Sequence, residues 1–135
     1  MDSARDFSTF QLPGSNLLVD DSIRFLEAAR TLLERDGIPV VGVAMSGSEA
    51  LARATELAPD IVLVDLDLNG ENGFDLAVEL AGNVTSVIIL ISTHSLDDFE
   101  ELVAASPARG FLHKSALSAR AIRGVLGNDG PGAPT

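Results

Sequence analysis

Leu17–Val19, Ile61–Val64 and Val87–Ile91 are apolar at every position. Successive side chains of a strand point to opposite faces, so a run with no polar alternate has no face suited to water. These segments are far too short to span a bilayer. They fit strands buried on both sides, which in a soluble chain means a parallel sheet covered by helices on each face.

The intervening sequence supplies the helices. Asn16–Val19 reads as the first strand. Ser22 is placed to cap a helix with a core stripe of Ile23, Leu26, Ala29 and Leu33, stopped by Gly37. Ile38–Ala44 reads as a second strand, and Ser48 as the cap of a helix over Glu49–Leu57 closed by Pro59. Ile61–Val64 is the third strand, followed by a helix over Phe74–Leu80 ended by Gly82. Val87–Ile91 is the fourth strand. Leu96, Phe99, Leu102 and Val103 form a helical stripe with Asp97 and Asp98 in its first turn. Gly110–His113 is a short fifth strand, and Ser118–Leu126 a final amphipathic helix. This alternation predicts an α/β fold, a flavodoxin-like doubly wound five-stranded parallel sheet of order 2-1-3-4-5 with helices on both faces. Pro39 suits an edge position for strand 2. The expected domain is 16–126, between flexible tails at 1–15 and 127–135.

Composition removes several classes of function. The chain has 135 residues and 46% hydrophobic content, enough for one domain with a real core. The absence of cysteine rules out disulfides and thiol chemistry and fits a reducing compartment. The N-terminal residues lack the apolar core of a secretory signal, so a cytoplasmic protein with no membrane association is expected. A net charge of −11 opposes phosphate backbones, so no direct nucleic-acid binding is expected.

Part of that acid falls at strand ends. Strand 1 runs into Asp20 and Asp21, strand 3 into Asp65, strand 4 into Ser92 and Thr93, and strand 5 into Lys114. In a 2-1-3-4-5 sheet the order reverses between strands 1 and 3, and sites form there, outside the carboxyl ends. Three carboxylates would meet across that point, with a hydroxyl and an ammonium beside them. Such a cluster needs a balancing cation or raised pKa values. An all-oxygen ligand set with room for water suits Mg²⁺, and a metal beside a lysine and a hydroxyl suits phosphoryl chemistry.

The ordered set LLVDDS (17–22), DIVLVDLDLNGENG (60–73), VIILIST (87–93) and GFLHKSALS (110–118) resembles the receiver domain of two-component response regulators. The C-terminal wording is most similar to receivers that precede a helix-turn-helix effector. The resemblance implies Asp65 as phosphoacceptor, taking the phosphoryl group from a phosphohistidine of a histidine kinase or phosphotransfer protein. It implies Asp21 as a direct Mg²⁺ ligand, Asp20 acting through water, and Asp67 offering a backbone carbonyl. Lys114 would pair with phosphoryl oxygens and Ser92 hydrogen-bond one of them. Phe111 stands at the switch aromatic, and Thr93 and His94 where access and hydrolysis are tuned. Output would pass through the face of the fourth helix, fifth strand and fifth helix to a downstream protein, a homodimer also being open. Asn69 replaces a usual proline after the phosphoacceptor, and Ser115 another after the lysine.

Two other readings fit the same residues. DLDLN (65–69) also resembles the first motif of haloacid-dehalogenase-type phosphatases, but that motif belongs on the first strand, and here it lies on the third. A phosphorylation-independent adaptor could use the same fold through protein contacts alone. Whether the chain acts alone or within a longer regulator is open, with a stand-alone module the expectation. The module would catalyse its own phosphoryl transfer and slow dephosphorylation without being a turnover enzyme.

Overall fold

A computed structural model describes residues 14–127. The strands are β1 (Asn16–Val19), β2 (Val40–Ala44), β3 (Ile61–Asp65), β4 (Val87–Ser92) and β5 (Gly110–His113), and the helices α1 (Ile23–Arg35), α2 (Gly47–Leu57), α3 (Gly73–Asn83), α4 (Glu100–Ala105) and α5 (Ala119–Gly127). The five strands pair in parallel in the order β2-β1-β3-β4-β5, as the apolar runs predict. The expected tails lie outside the described residues except at Gly14, Ser15 and Gly127.

Side-chain alternation divides the core in two. Leu17, Val19, Val62, Val64, Ile88 and Leu90 meet α2 and α3 through Ala50, Ala54, Leu76, Ala77 and Leu80. Leu18, Ile61, Leu63, Ile89 and Ile91 meet α1 and α5 through Leu26, Ala29, Leu33, Ala119 and Ile122. Every residue of β3 is buried, so the strand is covered on both faces.

Local chemistry explains where the elements start and stop. The Ser22 hydroxyl accepts from Phe25 N and caps α1 as expected. The cap of α2 is Ser46, not Ser48: its hydroxyl accepts from Glu49 N, and the Glu49 carboxylate reaches back to Met45 N. The cap thus lies two residues upstream of the expected one, and the Glu49 carboxylate reaches past it to the preceding amide. The second strand begins at Val40 rather than Ile38, because Pro39 and the helix-end bond from Ile38 N to Leu33 O occupy the intervening residues. Helix α3 runs through Gly82 to Asn83. The fourth helical stripe is split into a 3₁₀ turn (Leu96–Asp98) and the short α4, leaving Leu96 and Leu102 exposed while Phe99 and Val103 pack inward. Ile23, expected in the core, is 57% exposed.

One feature was not foreseen: a small antiparallel hairpin between β3 and α3. Asp67 pairs with Asn72 and Leu68 with Glu71, around a turn in which Asn69 and Gly70 have φ of 48° and 94°. Consecutive positive φ values mark the tight hairpin turns that asparagine and glycine tolerate, and proline's fixed φ excludes it from position 69. The hairpin returns the chain closely past β3. A Cβ on Gly73 would overlap the Asp65 carbonyl oxygen and lie 2.7 Å from Leu66 Cα.

Helix propensity alone favours Gly73→Ala, by less than the roughly 1 kcal/mol of a helix interior because Gly73 is the first residue of α3. The backbone overlap reverses that sign. Urea denaturation of Gly73→Ala should show a loss of about 1–3 kcal/mol; unchanged or increased stability would contradict the close approach.

Candidate functional site

The carboxyl ends of β1 and β3 converge where the strand order reverses, and each carries a buried carboxylate. Asp20 is completely buried, and its backbone N–H donates to Ala44 O on the neighbouring strand end. Its Oδ1 accepts from Ser22 N at 2.9 Å. Its Oδ2 lies 2.6 Å from Lys114 Nζ and, among the described residues, has no partner besides that ion pair. Asp65 continues the parity of Ile61 and Leu63 along β3, which aims it to the α1/α5 side. Its Oδ1 accepts from Asp67 N at 3.3 Å, and its Oδ2 is 3.3 Å from Lys114 Nζ. Asp21 is half-buried, and one oxygen each of Asp20, Asp21 and Asp65 lie within 4.8 Å of one another.

Charge balance is the unusual property of this pocket. Burial, followed by the adjacent Asp20 charge, raises the pKa of Asp65 from 3.8 to about 6. The Asp67 amide and Lys114 oppose that rise without cancelling it. Burial works against the charge of Lys114, but Asp20 and Asp65 more than offset it and hold the ammonium above its ordinary range. The lysine also lies 4.6 Å from the centroid of the Phe25 ring, a cation–π contact that seats it from the α1 side. One ammonium therefore serves two buried carboxylates.

The remaining expected residues are distributed around this centre. Ser92 ends β4 and is buried; its hydroxyl accepts from His94 N at 2.9 Å and lies 3.5 Å from His94 Nδ1. Thr93 and His94 are exposed, and the His94 ring meets the edge of Phe99 at 5.9 Å. Phe111 is half-buried and packs, like Phe99 and Val103, against the core cluster on the α2/α3 side of the sheet. Asp67 lies on the first arm of the hairpin.

Two contributors escaped the sequence reading. Phe25 sits in the first turn after the Ser22 cap, and an aromatic so close behind an acidic pair was the available signal. His113 joins the ends of β4 and β5: Nε2 is 2.8 Å from Thr93 O, and Nδ1 accepts from Ser115 N at 3.1 Å. No periodicity signals such a tie, because its partners come from separate strands.

The donor set fits a hard divalent cation. It consists only of carboxylate oxygens, one of them buried and short of partners, in a pocket with excess negative charge.

Fold and site define an α/β protein with an acidic pocket and a lysine at the switch point of a 2-1-3-4-5 sheet. Residues 17–125 match the family model for the response regulator receiver domain, and the chain belongs to that family. It is 31% identical over 111 residues to the response regulator GacA of Pseudomonas viridiflava, covering 81% of this chain and 52% of that one. It is 32% identical over 99 residues to the DNA-binding transcriptional activator EvgA of Escherichia coli, covering 73% and 48%. The chain thus spans about half the length of these curated relatives. The receiver domain of the putative response regulator NarL from Mycobacterium tuberculosis superposes with a TM-score of 0.74 at 27% identity, covering 84% of this chain and 93% of that one. A LuxR-family response regulator from an Aurantimonas species gives 0.74 at 29% identity, covering 84% and 82%. Among the described residues no helix is long and apolar enough to cross a membrane.

The raised pKa of Asp65 has a defined sign. Its ionised form is disfavoured in the folded state, so the cost is absent below pH 3.8 and fully present above about pH 6. In chelator, Asp65→Asn should therefore be more stable than the wild type at pH 7.5 by roughly 1–2 kcal/mol, a value discounted for partial solvation. The difference should shrink toward pH 4. Equilibrium denaturation at both pH values measures it; a mutant less stable at pH 7.5 would contradict the imbalance.

Proposed function

We propose that the chain receives a phosphoryl group on Asp65 from the phosphohistidine of a histidine kinase or phosphotransfer protein, with Mg²⁺, and thereby switches its contacts with a downstream protein. The observation that carries this reading is the buried Asp65 carboxylate, held within 4.8 Å of two others and 3.3 Å from Lys114.

In the transfer, an Asp65 carboxylate oxygen forms a bond to phosphorus as the phosphorus–nitrogen bond to the donor imidazole breaks. The imidazole leaves with the electron pair and takes a proton. The product on Asp65 is an acyl phosphate, a mixed anhydride. Asp20, Asp21, Asp65 and the Asp67 carbonyl would hold Mg²⁺, Asp20 mainly through water. When bound, the ion neutralises the charge on the phosphoryl oxygens. Lys114 is preset by its two ion pairs to follow the charge: as Asp65 is phosphorylated, its ammonium can turn to the new phosphoryl oxygens. The Ser92 hydroxyl is held by His94 N in this state, and turning it to a phosphoryl oxygen would release that bond. His94 leans on Phe99, and Phe99, Phe74 and Phe111 pack against the same core cluster, so the release would be felt on that side of the sheet. This supports output through α4, β5 and α5, with Phe111 as the switch aromatic and Thr93 and His94 tuning access and hydrolysis.

Intact-protein mass after incubation with a small phosphodonor tests the reading. One Mg²⁺-dependent phosphoryl adduct is expected in the wild type and none in Asp65→Asn. A folded wild type that binds Mg²⁺ but gains no adduct would favour a phosphorylation-independent adaptor. Mg²⁺ at about one hundred times its dissociation constant should stabilise the wild type by about 2.7 kcal/mol.

A further inference from the structure

The hairpin between β3 and α3 has two residues in each arm. A two-stranded ladder of that size has little stability of its own, so its position depends on what ties it down. Leu68 is buried and anchors one arm in the core. The Asp67 amide bonds to Asp65 Oδ1, and the Asn72 side chain caps its own helix α3. Among the described residues, the hairpin's one hydrogen bond to an element outside β3 and α3 comes from Glu71. Its Oε1 accepts from the backbone N–H of Gly47, the first residue of α2, at 2.7 Å.

This contact is strong and specific for three reasons. The carboxylate meets the positive end of the α2 dipole. It satisfies an N–H that the helix cannot bond internally and that the local caps leave free, because Ser46 serves Glu49 N and Glu49 serves Met45 N. Gly47 also permits the approach, since a Cβ there would lie 2.6 Å from Glu71 Oε1.

We propose that Glu71 is a positioning residue: by docking on the Gly47 N–H it braces the hairpin across to α2 and holds the Asp67 backbone where its carbonyl serves the cation site. This rests on the reading of that site given above. Glu71 pairs with Leu68, the neighbour of Asp67, so a shift of the second arm is passed through one rung to the first. The bond from Asp67 N to Asp65 Oδ1 cannot replace the brace, because the Asp65 carboxylate is itself one of the groups offered to the ion. Outer residues that orient a metal's ligands commonly change affinity by about 10–100-fold when removed.

The test is calorimetric Mg²⁺ titration of the full chain, since the protein has no Trp or Tyr to report binding by fluorescence. Glu71→Ala should bind Mg²⁺ about tenfold more weakly, acting through one backbone carbonyl. Glu71→Gln keeps an acceptor for the Gly47 N–H and should recover most of the affinity. Equal weakening in Gln and Ala would mean that only the negative charge matters, and would overturn the brace. Gly47→Ala supplies a second arm: it displaces the carboxylate while improving helix propensity, so a purely structural role predicts a more stable protein with unchanged affinity. Weakened binding in Gly47→Ala, with no further loss in Gly47→Ala/Glu71→Ala, is expected; unchanged binding in both single alanine variants overturns the proposal. Amide hydrogen exchange at Asp67 and Leu68, measured in the same samples without Mg²⁺, should quicken in Glu71→Ala and Gly47→Ala but not in Glu71→Gln. If the wild type fails to bind Mg²⁺, the cation site is refuted, and these exchange rates still judge the brace: equal protection in all variants overturns it.

Discussion

Two buried carboxylates, Asp20 and Asp65, share one ammonium in this molecule. Ionised carboxylates with so little water repel, and Lys114 cannot neutralise both. The raised pKa of Asp65 expresses that deficit. A pocket left short of positive charge is unfavourable in itself and receptive to a cation and to chemistry that changes the charge on Asp65. The hydrophobic sheet beneath makes it tolerable, because β1 and β3 are packed on both faces and cannot relax the strand ends apart.

The surroundings of the pocket are built from short-range ties rather than further burial. Asp20 is fixed by the Ser22 amide, Lys114 by the Phe25 ring, the end of β4 by His113, and the hairpin by Glu71. Each tie joins a loop at the carboxyl edge of the sheet to an adjacent element. The arrangement suits a site whose loops must be ordered yet able to change partners when one charge changes. Ser92 illustrates this: its hydroxyl is satisfied locally by His94 N, so it can be released without leaving a strand hydrogen bond broken.

Much of the fold was legible because parallel strands leave a plain signal. Ile61–Val64 and Val87–Ile91 have no polar face, and the sheet order followed from such runs together with Pro39 at an edge. The convergence of Asp20, Asp21, Asp65 and Lys114 was legible for the same reason, since each directly follows a strand whose end the order places at the switch point. Local chemistry was less legible. Ser46 and Ser48 are both plausible caps, and only the reach of Glu49 back to Met45 N decides between them. Ile23 fits the periodic stripe of α1, yet in the fold it is more than half exposed. The fourth helical stripe misled in the same way: periodicity counts apolar residues, whereas the 3₁₀ turn changes the angle between Leu96 and Leu102.

By itself the sequence determined which segments must be buried, that they alternate with helices, and which charged residues end which strands. Those are properties of residues near one another in the chain, governed by the periods of strand and helix. Only the tertiary structure decided how the charge is shared. That Lys114 lies closer to Asp20 than to Asp65, that one Asp20 oxygen has no partner beyond that ion pair among the described residues, and that Glu71 reaches the first amide of α2 depend on distances between segments 24 to 94 positions apart. Electrostatic energy and hydrogen bonding vary steeply over ångströms, and no local pattern in a chain encodes such distances.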